Sequence, residues 1–102
     1  MGLLDILFGK STNNIADYMV KDAVILDVRS FSEYQNNHIA SAIHIPLPEL
    51  NTRYQEIKKL NKPVIAHCAS GMRSANAASF LKSKGIDAIN GGGIGSLKKK
   101  LG

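Results

Sequence analysis

Four short apolar runs alternate with stretches of helical spacing along this chain, and that alternation narrows the fold more than any other feature. The runs are AVILDV (23–28), AIHIP (42–46), PVIAHC (63–68) and IDAIN (86–90). Each is short, rich in branched side chains and nearly free of polar interruption, as a strand covered on both faces must be. The segments between them read as helices. Thr12 or Asn13/Asn14 can cap one running to about Val20, and Ser30 and Ser32 offer caps for another near 32–36. Pro46 and Pro48 end the second strand. Glu49–Leu60 then spaces Leu50, Tyr54, Ile57 and Leu60 for burial, while Ser74–Lys84 puts Ala75, Ala78 and Leu81 on one face with Ala77 and Phe80 beside them. Gly91–Gly93 reads as a turn and Ile94–Leu101 as a closing helix. Strands and helices in this order predict an α/β fold: a small, mostly parallel sheet with helices on both faces.

A chain of 102 residues is one domain. The regular pattern occupies 12–102. Residues 1–11 read as an apolar extension with Leu3, Leu4, Leu7 and Phe8 in a stripe, and docking against the domain is its expected role. That segment is too short to span a bilayer, lacks the basic start and cleavage site of a secretory leader, and has Ile6 where a myristoylation signal needs Ser or Thr. Membrane contact is not expected. One cysteine allows neither an internal disulfide nor a cysteine-based zinc site, and points to a reducing compartment; the expected location is cytoplasmic. The net charge of +5 comes largely from lysines such as Lys82, Lys84 and Lys98–Lys100. A basic surface can attract small anions, but no basic, aromatic-interleaved motif marks a nucleic-acid reader.

Most other motifs fail on spacing. GKST (9–12) lacks the glycine and the preceding strand of a phosphate-binding loop, and Gly91–Gly95 lacks the third glycine of a dinucleotide fingerprint because position 96 is Ser. His38, His44 and His67 do not share a helix face with acidic neighbours, so no metal is expected, and no cofactor.

The informative stretch is AHCASGMRSA (66–75). In open parallel sheets, sites form beyond the carboxyl ends of the strands, and both Asp27/Arg29 and His67/Cys68 fall there. A loop that leaves a strand and at once begins a helix turns its N–H groups inward, making a cradle for negative charge. Ala69, Ser70, Gly71 and Met72 bring little bulk to its first half, and Arg73 adds a fork of donors. Cys68 stands at the centre. Lowering a thiol pKa from ~8.5 by ~2 units takes ~2.7 kcal/mol of anion stabilisation, within reach of several N–H groups and a helix end. A solvent-open, ionised nucleophile at Cys68 is the expectation.

DVRSFSEYQNNHIASAIHIP (27–46), VIAHCASGMRSANAASFLKSKGI (64–86) and NGGG (90–93) together resemble the rhodanese-like sulfurtransferases, over roughly residues 12–101. The resemblance implies a single rhodanese-like domain. It implies an activity too: moving a sulfane sulfur from an anionic donor such as thiosulfate to a thiophilic acceptor, cyanide or a thiol, through a persulfide on Cys68. In that scheme the amides of Ala69, Ser70, Gly71, Met72 and Arg73 form the cradle, and Arg73 orients the donor or braces the loop. Asp27 and Arg29 stand behind the site, with Arg29 either supporting it or pairing with Glu33. His38 is structural and His67 points away. Asn37 and Ser41 replace glycines usual in the family, and the tryptophan that often follows the glycine turn is absent. A phosphatase-type Cys-to-Arg loop is one residue longer than this one. The alternative retained is a carrier whose persulfide passes only to a protein sulfur acceptor.

Overall fold

The computed structural model describes residues 10–102; the stripe expected at Leu3–Phe8 lies outside them. Five helices and four strands alternate: α1 (Lys10–Val20), β1 (Val24–Asp27), α2 (Phe31–Asn36), β2 (Ile43–His44), α3 (Leu47–Lys58), β3 (Val64–Cys68), α4 (Met72–Ser83), β4 (Ala88–Gly93) and α5 (Ile94–Leu101). The strands form one sheet in the order β2-β1-β3-β4 with every pairing parallel. The chain steps from β1 out to β2, then returns to build β3 on the other side of β1. The direction of winding therefore switches between β1 and β3, and Asp27 pairs in register with His67 at that point.

Strand alternation sorts the core into two layers. Leu26, Val28, Val64, Ala66 and Cys68 face α3 and α4, packing with Leu50, Ile57, Ala77, Ala78 and Leu81. Ile25 and Ile65 face the other way, toward Ile15 of α1 and Leu97 of α5. Helices thus cover both faces.

Several boundaries differ from the sequence reading, each for a local reason. Of the two candidate caps for α2, Ser30 wins: its hydroxyl accepts the Glu33 N–H while the Glu33 carboxylate accepts the Ser30 N–H, a reciprocal capping box. Pro46 and Pro48 do not merely stop a strand; they open α3, where a missing N–H costs nothing. In α4 the buried stripe is Ser74, Ala77, Ala78 and Leu81, and Ala75 is exposed. The last strand starts two residues late and runs through the expected turn, so Gly91–Gly93 is strand.

Those glycines are there for space. A Cβ on Gly93 would lie 2.4 Å from the Ala69 carbonyl oxygen, because β4 runs tight against the turn after β3. Gly93→Ala is therefore expected to cost about 1–3 kcal/mol of stability through overpacking, read by chemical denaturation. Wild-type stability in that variant would mean the two segments are not in contact.

Candidate active site

Cys68 is the last residue of β3, and Met72 begins α4. Three residues must reverse the chain between them, and Gly71 does so at φ +107°, where a side chain would be strained. That turn aims donors at the sulfur. Gly71 N–H lies 3.0 Å from Cys68 Sγ, Ser74 N–H 3.4 Å and Ser74 Oγ 3.3 Å. The sulfur sits at the amino end of α4, where the helix dipole adds to the same effect. Burial works against ionisation, but the Ser74 hydroxyl and the N–H groups of Ser74, Gly71 and Ser70 outweigh it and hold the thiol pKa down at about 7. Measured from the ordinary cysteine value, that is a preference for the anion of about 2 kcal/mol.

One part of the expectation fails. Cys68 has no solvent-exposed surface at all. The loop encloses the sulfur. Ser70 and Met72 are exposed on its rim, as is Ala69.

Ser74 is a residue the sequence reading passed over, and Asn90 is another. Asn90 Nδ2 donates to the Gly71 carbonyl at 3.0 Å, while its Oδ1 accepts the Gly92 N–H at 2.9 Å. These two contacts fix the amide orientation. Oδ1 also lies 2.7 Å from Ser74 Oγ. The Ser74 hydroxyl has one proton and two acceptors within reach, Asn90 and Cys68. The only sequence signal for Asn90 was its place before the glycine run.

Arg73 meets Glu33 across the mouth: Nη1 donates to Oε1 at 2.8 Å and Nη2 to Oε2 at 2.9 Å. The Arg73 contacts and the Ser30 backbone hold the Glu33 carboxyl down at about 2, so it stays ionised throughout the working range. Arg29 does not pair with Glu33. It binds Asp27, with Nη2 to Oδ2 at 2.7 Å and Nε to Oδ1 at 3.0 Å, and reaches the Asn37 carbonyl. Both members of that pair are buried. Burial alone would raise the Asp27 pKa; hydrogen bonds from Arg29 more than reverse this and keep it below the usual range. His67, on the face opposite Cys68, has both ring nitrogens buried without a hydrogen-bond partner, its Nε2 3.8 Å from Asp27 Oδ2. Burial holds it neutral against the pull of Asp27. A cleft of 380 Å³ lined by Lys58, Lys62, Pro63 and Asp87 lies at the opposite end of the sheet and shares no residue with this site. Among the described residues no group of His, Cys, Asp and Glu is placed to hold a metal, and no helix is long and apolar enough to cross a membrane.

The rhodanese-like domain family matches residues 12–96. A tRNA sulfurtransferase of Thermoplasma acidophilum is 36% identical over 81 residues, which is 79% of this chain and 16% of that protein. A thiosulfate sulfurtransferase of Coxiella burnetii is 35% identical over 69 residues, 68% of this chain and 64% of that protein. The chain thus spans less than two thirds of either relative. Among solved structures, a rhodanese-like domain protein from Staphylococcus aureus superposes with a TM-score of 0.71 at 30% identity, covering 84% of this chain and 86% of that one.

Two outcomes follow from the site geometry. Ser74→Ala removes the hydroxyl that contributes most to holding the thiol pKa down, so the midpoint measured by thiolate absorbance should move up from about 7 toward the ordinary ~8.5; an unmoved midpoint would give the effect to the amides alone. Asp27→Asn leaves the Arg29 charge buried without its partner and should cost about 3–5 kcal/mol of stability, seen as a lowered denaturation midpoint. A loss under about 1 kcal/mol, the range of exposed pairs, would show that the pair is not isolated from water.

Proposed function

The chain belongs to the rhodanese-like domain family, and from that premise we propose that it transfers sulfane sulfur through a persulfide on Cys68. The observation that carries this reading is the convergence of Gly71 N–H, Ser74 N–H and Ser74 O–H on one sulfur atom. Such a set stabilises a thiolate, and a thiolate is the nucleophile the reaction needs.

In the first step the Cys68 thiolate attacks the outer sulfur of the donor. A new S–S bond forms, the donor's own S–S bond breaks, and the leaving group departs with the electron pair; from thiosulfate it leaves as sulfite. In the second step a thiolate or cyanide acceptor attacks the terminal sulfur of the persulfide, and Cys68 is returned as thiolate. No redox partner is required, since sulfur and its electrons balance across the two steps. The cradle serves both states, because it favours negative charge on Cys68 sulfur whenever the nucleophile or leaving group carries it. Asn90 and Ser74 hold the cradle's shape. Arg73 stands at the rim, its charge acting on both Glu33 and the Cys68 sulfur.

The similarity to proteins named as sulfurtransferases supports sulfur handling in general. Thiosulfate as donor, and cyanide, a small thiol or a protein thiol as acceptor, are the finer parts of the proposal. A carrier that releases sulfur only to a protein partner is favoured by one observation, the complete burial of Cys68, since a docked partner can move the rim.

Intact mass spectrometry after incubation with thiosulfate tests the reading. One added sulfur is expected on the wild type and none on Cys68→Ser, which should fold normally. Sulfur on the serine variant, or none on the wild type with any sulfane donor, would refute it. Release of that sulfur to cyanide or a small thiol marks an enzyme; release only to a protein thiol marks a carrier.

A further inference from the structure

Resting on the sulfur-transfer reading, a second conclusion concerns charge at the mouth. The protein carries +5 overall, yet its two arginines near Cys68 are both paired with carboxylates. Arg29 is enclosed with Asp27. Arg73 has both terminal nitrogens on the two oxygens of Glu33, the bidentate geometry an oxyanion would otherwise use. Glu33 cannot readily swing aside, because the Ser30 N–H and hydroxyl each lie 3.0 Å from its Oε1. It sits in the first turn of α2, where a carboxylate is favoured. Lys58 and Lys62 flank the cleft at the other end of the sheet, and Lys98, its charge intact, donates to Asn37 Oδ1 rather than to Glu33. Ser70 and Met72, exposed at the rim, are uncharged.

An incoming small anion therefore meets a guanidinium already occupied and a fixed carboxylate beside it. We propose that Glu33 is a specificity-determining residue which, by holding Arg73, disfavours dianionic sulfur donors and tunes Cys68 for donors whose sulfane sulfur arrives with less negative charge. Glu33 acts through Arg73 and through its own field; it does not touch the reacting sulfur.

The test compares two donors with the same reaction and different charge. Thiosulfate is a dianion and loses sulfite; an alkanethiosulfonate is a monoanion and loses the alkanesulfinate. In each case the Cys68 thiolate takes the outer sulfur and the donor's S–S bond breaks with its electrons on the leaving group. Glu33→Gln removes the charge and keeps the shape. It should raise kcat/KM for thiosulfate about tenfold, the size of one lost like-charge contact at a partly wet surface. The gain should appear mainly in KM, and should exceed that for the thiosulfonate by about threefold, since the repulsion scales with donor charge. A structural lesion would produce no such gain. Glu33→Asp covers the case in which Glu33→Gln folds poorly: its shorter side chain cannot keep both contacts, so preference should move the same way by less. Unchanged or reduced thiosulfate turnover, or equal change for both donors, would overturn the proposal. Failure of both donors to place sulfur on wild-type Cys68 would instead bring down the sulfur-transfer reading beneath it.

Discussion

Everything at this site depends on how the chain passes from β3 into α4. The reversal at Gly71, in the left-handed region at φ +107°, is what turns the N–H groups toward Cys68 rather than toward water. Move that one dihedral and the sulfur loses the Gly71 N–H. The turn is braced from outside: Asn90 holds the Gly71 carbonyl, and Gly93 lets β4 press against Ala69. A strand whose side chains never reach the sulfur thus braces the turn whose donors ionise it.

A second constraint is electrical. Two carboxylate–arginine pairs stand at the carboxyl end of the sheet, and they do different work. Asp27–Arg29 is buried and ties the end of β1 to the segment after α2 through the Asn37 carbonyl. Glu33–Arg73 is half exposed and joins α2 to α4 across the mouth. Because each pair is neutral, the local field at Cys68 comes from main-chain dipoles and one hydroxyl more than from net charge.

The strands were legible because parallel strands buried on both sides must be continuous apolar runs, and AVILDV and PVIAHC are. Cys68 was legible because chemistry in such sheets gathers at strand ends. The last strand was not, since Gly91–Gly93 has the composition of a turn, and only the closeness of Ile65 and Ala69 explains glycine there. Ser74 was named in the sequence only as a helix start. Its tie to Asn90 spans 16 residues and that of Arg73 to Glu33 spans 40, separations at which no local pattern reports a contact. Of the two roles open to Arg29, pairing with Glu33 is not the one it takes, for the opposite reason: Asp27, two residues away, is a nearer partner. Burial of the thiol was invisible too, because loop closure depends on three elements meeting.

The measurement that bears most directly on the account is a pH titration of the Cys68 thiolate by ultraviolet absorbance in the intact protein. Cys68 is the only cysteine, so the signal has a single source. A midpoint at about 7 is the expected result. A midpoint at or above the ordinary cysteine value of ~8.5 would mean that burial wins over the surrounding donors, and that this sulfur is not held as an anion.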